Sequence, residues 1–134
     1  MAALTNYLED QLGNWLFNNE TFDSSPTSLW LALHTDHPVD GTENEVTSAD
    51  YDRVETGLFD WETSGNQPLT ALLESDAVFD QAQSNWGTIR YVTIWDGPST
   101  GDNPLIMGPV EIERTINDGD QYSIMENEGT VTIN

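Results

Sequence analysis

Two histidines, His34 and His37, lie three residues apart beside Asp36 and Asp40, and this is the sequence's nearest approach to a metal-binding motif. Imidazole nitrogens and carboxylate oxygens both bind zinc, but a zinc site needs several ligands that the fold holds in place. The spacing fixes no further ligand, because His34 ends a predicted strand and His37 begins a loop. We therefore predict no metal site at these histidines.

Two acidic loops superficially resemble calcium-binding loops. One contains Asp96 and Asp102, and the other is formed by Asp118, Gly119 and Asp120. Neither has the ligand spacing and closing glutamate of the helix–loop–helix calcium motif. Oxygen-rich loops nevertheless suit hard cations, so a structural Ca²⁺ or Mg²⁺ is the one cofactor that the sequence leaves open. We assign no catalytic, cofactor-binding or metal-ligating residue.

The residue types that enzymes use as nucleophiles are scarce in this chain. It has no Cys and no Lys, and it lacks the nucleophile elbow, the P-loop and the dinucleotide-binding glycine motif. No two carboxylates are singled out as an acid–base pair whose environments would separate their pKa values. We therefore predict a protein that is not an enzyme.

The three arginines, Arg53, Arg90 and Arg114, all fall on predicted strands among many carboxylates. Arginine forms paired hydrogen bonds with carboxylates, so we predict that each anchors an ion pair within the chain or between subunits.

The five tryptophans have two interpretations. We predict that most anchor the core or a subunit interface, and the alternative is a carbohydrate-binding platform of exposed aromatic rings. They are Trp15, Trp30, Trp61, Trp86 and Trp95.

The charge balance excludes several classes of partner. The 134 residues include 24 Asp and Glu but only 3 basic residues, which gives a net charge of −21. Nucleic acids and anionic membrane surfaces are recognised mainly through Lys and Arg, so neither is an expected partner. No apolar run is long enough to insert into a membrane. Such dense negative charge is tolerated best where salt screens it, which predicts a halophilic source.

The N-terminal residues have helical periodicity. An apolar stripe recurs at every fourth position, at Leu4, Leu8, Leu12 and Leu16. Thr5 is a suitable N-cap, and the predicted helix ends at the Asn pair of residues 18 and 19. Its apolar stripe must be buried against its own domain or against a neighbour.

The rest of the chain reads as short strands joined by turns. Residues 35–50 form a long polar loop, residues 69–79 fit either a helix or a strand, and residues 110–116 predict one buried face carrying Val110, Ile112, Arg114 and Ile116. The predicted strands cover residues 28–34, 53–61, 88–95, 105–107, 110–116, 122–125 and 131–133. The fold class is mainly β: a β-sandwich or jelly-roll-like domain of about eight short strands with an N-terminal amphipathic helix. We predict a single domain, 1–134, with the helix in residues 1–18 and the sandwich in residues 26–134.

Several segments in order resemble a family of small structural proteins of tailed phages, the tail-fibre or minor virion proteins. The resemblance covers nearly the whole chain, although the family's Gly-rich loop is acidic here at residues 40–45. The segments are residues 3–9, 12–17, 26–35, 51–53, 86–89, 94–96, 105–108 and 119–120.

The resemblance implies a mainly β virion component with no catalytic residues to transfer. Together with the charge, it implies a tailed virus of a halophilic archaeon. We expect a non-enzymatic protein of the virion, assembled in the host cytoplasm as a symmetric oligomer, that serves as capsid decoration (a turret or spike) or as a tail or fibre attachment part. Its expected partners are other copies of itself, other virion proteins and the host cell surface. The alternative is a host-surface adhesive or carbohydrate-binding module that uses loop carboxylates, a cation and exposed Trp.

Overall fold

The structure is a computed structural model, and it describes residues 2–22, 26–57, 61–63, 69–125 and 130–133. Within these ranges the chain forms one helix and ten strands. In chain order they are β1 (Ala3–Leu4), α1 (Asn6–Asn18), β2 (Ser28–His34), β3 (Val54–Gly57), β4 (Trp61–Thr63), β5 (Leu69–Leu73), β6 (Ala77–Val78), β7 (Gly87–Trp95), β8 (Pro104–Ile116), β9 (Ser123–Ile124) and β10 (Thr130–Ile133). In the described part, no helix has both the length and the apolar character needed to cross a membrane.

Every strand pairing among the described residues is antiparallel. The largest sheet has five strands in the order β1-β8-β7-β2-β3, a second has the order β10-β5-β4, and a third joins β6 to β9. The two longest strands, β7 and β8, are neighbours in the chain and in the sheet. Their density of β-branched and aromatic residues suits a pleated, half-buried surface.

The register of β2 against β7 separates two faces of the large sheet. Leu31 lies opposite Ile94, and these apolar side chains belong to the core. Ala32 lies opposite Thr93, and because side chains alternate along a strand this pair lies on the other face. Trp95 shares that second face, since Trp30 is its partner across the strands.

The apolar core joins the first face of the large sheet to the smaller sheets. It includes Leu33 of β2, Ile89 of β7 and Leu73 of β5, none of which is exposed to solvent. Phe79, which follows β6, is also fully buried and contacts the Tyr122 ring edge-on. This arrangement is sandwich-like, so the predicted mainly β class with an N-terminal helix is confirmed.

The structure decides one element that the sequence left open. Residues 69–79 contain two strands, β5 and β6, and no helix. The single strand predicted over residues 53–61 is replaced by the separate strands β3 and β4, and residues 58–60 lie outside the described residues. Residues 64–68 and 126–129, which lie between predicted strands and are expected to form turns, also lie outside them.

The prediction of one buried face in residues 110–116 is wrong. Ile89 lies opposite Arg114 and Tyr91 opposite Pro109, so residues 110–113 lie against Arg90 alone. Such a bulge breaks the alternation of faces. Ile116 is buried as predicted, but Ile112 and Arg114 are exposed.

The N-cap and the C-terminal end of α1 agree with the prediction, but the predicted start does not: Ala3 and Leu4 form β1, so Leu4 of the predicted apolar stripe lies on a strand. Thr5 is the N-cap, and its hydroxyl accepts a hydrogen bond from the Leu8 backbone N–H at 3.3 Å. Asn19 closes the helix in the left-handed conformation with φ of 55°. Both ends are set by local chemistry, since a hydroxyl cap and an Asn tolerate these backbone angles well.

Candidate functional site

The helix α1 is anchored to the rest of the molecule at its first residues. Thr5 is fully buried, its hydroxyl donates to the Pro104 carbonyl at 2.6 Å, and its backbone N–H donates to the Leu105 carbonyl at 3.0 Å. The N–H of Asn6 donates to the Asp40 carboxylate at 2.7 Å, which places a negative charge at the positive end of the helix. The base of the helix is therefore held by both β8 and the loop of residues 35–50.

The anchor requires a glycine in that loop. Gly41 has a φ of 92°, and a Cβ built on it would lie 2.6 Å from the Pro104 Cβ. Only glycine combines this backbone conformation with so close an approach. The loop can therefore pass directly beneath Thr5.

Beyond its base, α1 leaves the domain surface. None of its residues is buried, and the exposure of its apolar side chains increases from Leu8 to Phe17. Leu8 is half-buried, Leu12 is 38 % exposed, Leu16 is 63 % exposed and Phe17 is 82 % exposed. The predicted apolar stripe is therefore covered by the domain only at its beginning.

We name the exposed remainder of this surface the apolar helix end: Leu12, Trp15, Leu16, Phe17 and Phe22. Leu12, Trp15 and Leu16 share one side of the helix by their spacing. Phe22 follows the helix and packs against Trp15, with the ring centroids 6.3 Å apart. Residues 11–19 contain no charged side chain. Large exposed apolar surfaces of this kind mark sites of protein association or ligand binding.

A second notable cluster lies inside the molecule, on the second face of the large sheet. We name it the polar layer: His34, Glu45, Arg53, Thr93 and Trp95. The Arg53 guanidinium donates two hydrogen bonds of 2.8 Å to the two carboxylate oxygens of Glu45. It lies 3.6 Å from the centroid of the Trp95 ring, a cation–π contact. The Arg53 side chain is only 3 % exposed, so this ion pair is largely shielded from solvent.

Arg53 also ties a distant loop to the polar layer. Its Nη1 donates to the backbone carbonyls of Gly97 at 3.2 Å and Ser99 at 2.9 Å. The Tyr51 hydroxyl donates to Glu45 at 3.1 Å and accepts from the Leu33 N–H at 2.9 Å. Burial raises the pKa of Tyr51, so it remains a neutral phenol. The predicted ion pair of Arg53 is thus an internal structural one.

His34 completes the polar layer through a directed chain of hydrogen bonds. Its Nδ1 is 2.7 Å from the Glu43 carbonyl, which can only accept, so Nδ1 carries the proton. Its Nε2 then accepts from the Thr93 hydroxyl at 2.8 Å, and that hydroxyl accepts from the Trp95 indole N–H at 2.6 Å. Burial lowers the pKa of His34 below its ordinary value of 6.5, which keeps the ring neutral.

The structure separates the two histidines that the sequence placed together. His34 is buried with both ring nitrogens engaged, whereas His37 is exposed and packs edge-on against Tyr91 at 5.1 Å. Nowhere in the described ranges do three His, Asp or Glu side chains meet in a group that could hold a metal ion.

The carboxylates of the two acidic loops bond to their own loop. Asp96 accepts from the N–H and side-chain amide of Asn103 at 2.7 and 3.0 Å, and Asp102 accepts from the Ser99 N–H at 2.7 Å. In the other loop, Asp120 accepts from the Asn117 N–H at 2.9 Å. These contacts stabilise turns, which is the ordinary role of Asp at such positions.

The other two arginines are on the surface. Arg90 faces Glu113 at 3.4 Å with both side chains substantially exposed. Arg114 has no ion-pair partner among the described residues and lines a shallow open cleft of about 430 Å³ together with Glu113 and Asp120. Of the three ion pairs that the sequence predicts, the described structure shows two, those of Arg53 and Arg90, and both are within the chain.

The tryptophans divide between interior and surface. Trp86 and Trp95 are buried, Trp30 and Trp61 are half-buried, and Trp15 is 55 % exposed. Trp15 lies in the charge-free stretch of residues 11–19, which Glu20 follows directly. The carbohydrate-binding alternative, which combined exposed Trp with loop carboxylates, stays a prediction.

Sequence reasoning missed Asp50, which links three separate groups. Its carboxylate accepts from the Gln83 N–H at 2.7 Å, the Ser84 hydroxyl at 2.5 Å and the Trp86 indole N–H at 3.0 Å. The Ser84 and Gln83 hydrogen bonds lower the pKa of Asp50 to about 2. Because its partners are more than thirty residues away, no local pattern could identify it.

The chain was also compared with known proteins. It matches the family described as Podophage GP4 fiber I protein gp80 over residues 3–132, which include α1 and nearly all of the strands described above. A search of curated proteins found no match. The family match covers the anchored helix, the polar layer and the apolar helix end together. The chain therefore belongs to the Podophage GP4 fiber I protein gp80 family of phage fibre proteins.

Proposed function

We propose that the protein is a non-enzymatic structural subunit of the fibre of a tailed virus. The observation that carries this proposal is the match to a phage fibre family over residues 3–132. Two structural features support it. The polar side chains that are brought together inside the molecule serve one another as partners, and the apolar helix end offers a surface for assembly.

The proposed partners are other virion proteins and other copies of this chain in a symmetric oligomer. Closed symmetry is the usual solution for soluble homo-oligomers. Contact with the host surface is a further proposed role, since a fibre is an exposed part of a particle. The chain would be assembled into the particle in the host cytoplasm.

Immunogold labelling of purified virions by negative-stain electron microscopy tests the fibre role. We expect gold particles on the tail or its fibres. Labelling confined to the head would instead support the capsid-decoration role, and absence of the protein from washed particles would refute a virion role. Particles lacking the gene product, prepared in parallel, give the background level of label.

We also propose that the protein works in concentrated salt. Its net charge of −21 means that the carboxylates of the folded chain repel one another, which destabilises the folded state. Salt shortens the screening length from about 10 Å at 0.1 M to about 3 Å at 1 M, so the repulsion fades. Thermal unfolding in increasing KCl is the test: we expect the melting temperature to rise steeply, and a flat response would refute adaptation to salt.

A further inference from the structure

The apolar helix end is large enough to form the centre of a protein interface. Its side chains are between 36 % and 82 % exposed. Together they expose on the order of 500 Å² if a fully exposed large side chain offers about 150–250 Å². A stable interface buries about 800 Å² on each partner, with its most apolar residues at the centre. The helix end and its immediate surroundings therefore fit one side of such an interface.

Charge identifies which partner fits this surface. A partner that binds through basic residues requires a surface rich in carboxylates. Residues 11–19 contain no carboxylate, so they do not suit such a partner. Most other surfaces of the molecule would bring like charges together if two copies met there. Residues 11–19, which carry most of the apolar helix end, are a stretch at which two such acidic chains can touch without opposing carboxylates, with Asp10 and Glu20 at its two ends.

The anchoring of α1 also suits a contact between copies. The Thr5 hydroxyl bonds to the Pro104 carbonyl at 2.6 Å and the Asn6 N–H to Asp40 at 2.7 Å, so the base of the helix is fixed. Its distal half is thereby presented in one orientation. A preorganised surface loses less conformational entropy when it binds.

We infer that the apolar helix end of one chain packs against the apolar helix end of a second copy, around a shared symmetry axis. A closed oligomer of this kind uses the same patch on every subunit. The inference rests on the proposed structural role and adds to it the surface through which the copies meet. Leu16 and Phe17, the most exposed apolar residues of the helix, lie at the centre of the contact.

Sedimentation velocity on the full chain in molar KCl, over a range of concentrations, tests the inference with two matched variants. Leu16→Glu places a charge in the proposed contact. Ile112→Glu is the control, because Ile112 on β8 is 62 % exposed against 63 % for Leu16, and both variants change the net charge equally. We expect an oligomeric wild-type chain. Leu16→Glu should raise its dissociation constant by about 30-fold or more, the size of a hot-spot loss, and Ile112→Glu should leave it unchanged.

Three outcomes would overturn the inference. If the wild-type chain stayed monomeric at all concentrations, the helix end would bind a different virion protein and not a second copy. Equal dissociation of both variants would indicate a general effect of charge, and an unaffected Leu16→Glu oligomer would place the contact elsewhere. Circular dichroism shows that each variant is folded. Because this measurement uses the isolated chain, it can fail while the virion labelling succeeds, and the reverse.

Discussion

In the polar layer, charged and hydrogen-bonding side chains are buried away from solvent. In the apolar helix end, aromatic and aliphatic side chains are exposed to solvent. Arg53 and His34 are buried, and each is fully engaged by neighbours within the chain. Leu16 and Phe17 are more than half exposed. In the described part of the chain, every buried side-chain nitrogen and oxygen has a hydrogen-bond partner.

This difference separates two physical roles. When a buried polar group loses its hydrogen-bond partner, the free energy of unfolding decreases. The polar layer therefore contributes to the stability of a single chain. An exposed apolar group gains free energy only when another surface covers it, so the apolar helix end contributes to association. Substitutions in the first region are therefore expected to change unfolding, and those in the second to change assembly.

The largest expected effect on stability comes from Arg53→Ala. The substitution leaves the Glu45 carboxylate, 15 % exposed, without its 2.8 Å ion-pair partner, and it removes the bonds to Gly97 and Ser99. Breaking a buried ion pair from one side typically costs about 3–5 kcal/mol. Urea unfolding in molar KCl should show a loss of this size.

Arg90→Ala is the matched control for that prediction. The Arg90–Glu113 pair is exposed, with side-chain exposures of 44 % and 58 %. Exposed ion pairs contribute about 0–1 kcal/mol. Equal losses in the two variants would show that the shielding of Arg53 has no energetic consequence.

The next largest effect is expected from His34→Phe. Phenylalanine fills a similar volume but leaves the Thr93 hydroxyl proton without an acceptor and the Glu43 carbonyl without its donor, while the Trp95 indole still donates to Thr93. An unsatisfied buried polar group costs about 1–3 kcal/mol. Urea unfolding at neutral pH measures the loss, and His37→Ala, at an exposed position, should change stability by only about 0.5 kcal/mol. If His34→Phe unfolded with the same free energy as the wild type, the hydrogen-bond chain would make no contribution to stability.

A smaller effect is expected in the pH dependence. Burial lowers the pKa of His34 below 6.5 in the folded chain. As the pH falls below 6.5, His34 is therefore protonated in the unfolded chain before it is protonated in the folded chain. The stabilisation from neutral His34 is complete above 6.5 and is lost as the pH falls through 6.5 towards the folded pKa.

Unfolding of the wild type and His34→Phe at about pH 7, 6 and 5 tests this sign. The stability advantage of the wild type should shrink towards pH 5. Protonation of the carboxylates that do not interact with His34 affects both chains alike, so it cancels in the difference; Glu45, which interacts with His34, is the exception. A constant difference across this range would contradict a neutral, buried His34.

The smallest effect on the single chain is expected from Phe17→Ser. Phe17 is 82 % exposed, and exposed substitutions change stability by about 0.5 kcal/mol or less. Unfolding at protein concentrations low enough to dissociate any oligomer isolates this quantity. A loss comparable to that of His34→Phe would mean that the helix end packs within its own chain, and the contrast between the two regions would fail.

Several elements were predictable because short-range chemistry determines them. The N-cap at Thr5 and the left-handed Asn19 closed α1 as the sequence indicated. The alternating residues of β2 and the dense β-branched run of β7 formed strands within one residue of the predicted ends. Residues 69–79 were ambiguous because their apolar residues fit both periods, and pairing of β5 with β10 and β4 decided for strands.

The sequence by itself determined the acidic charge, the helix, most strands and the fold class, because composition and local periodicity act over a few residues. Only the tertiary structure decided which apolar residues are covered. It placed a bulge in β8 that exposes Ile112, and it turned α1 so that Leu16 faces solvent. It also assembled the polar layer, in which His34 meets Thr93 across 59 residues of chain. Such contacts depend on which elements meet, and local side-chain preferences carry no information about that.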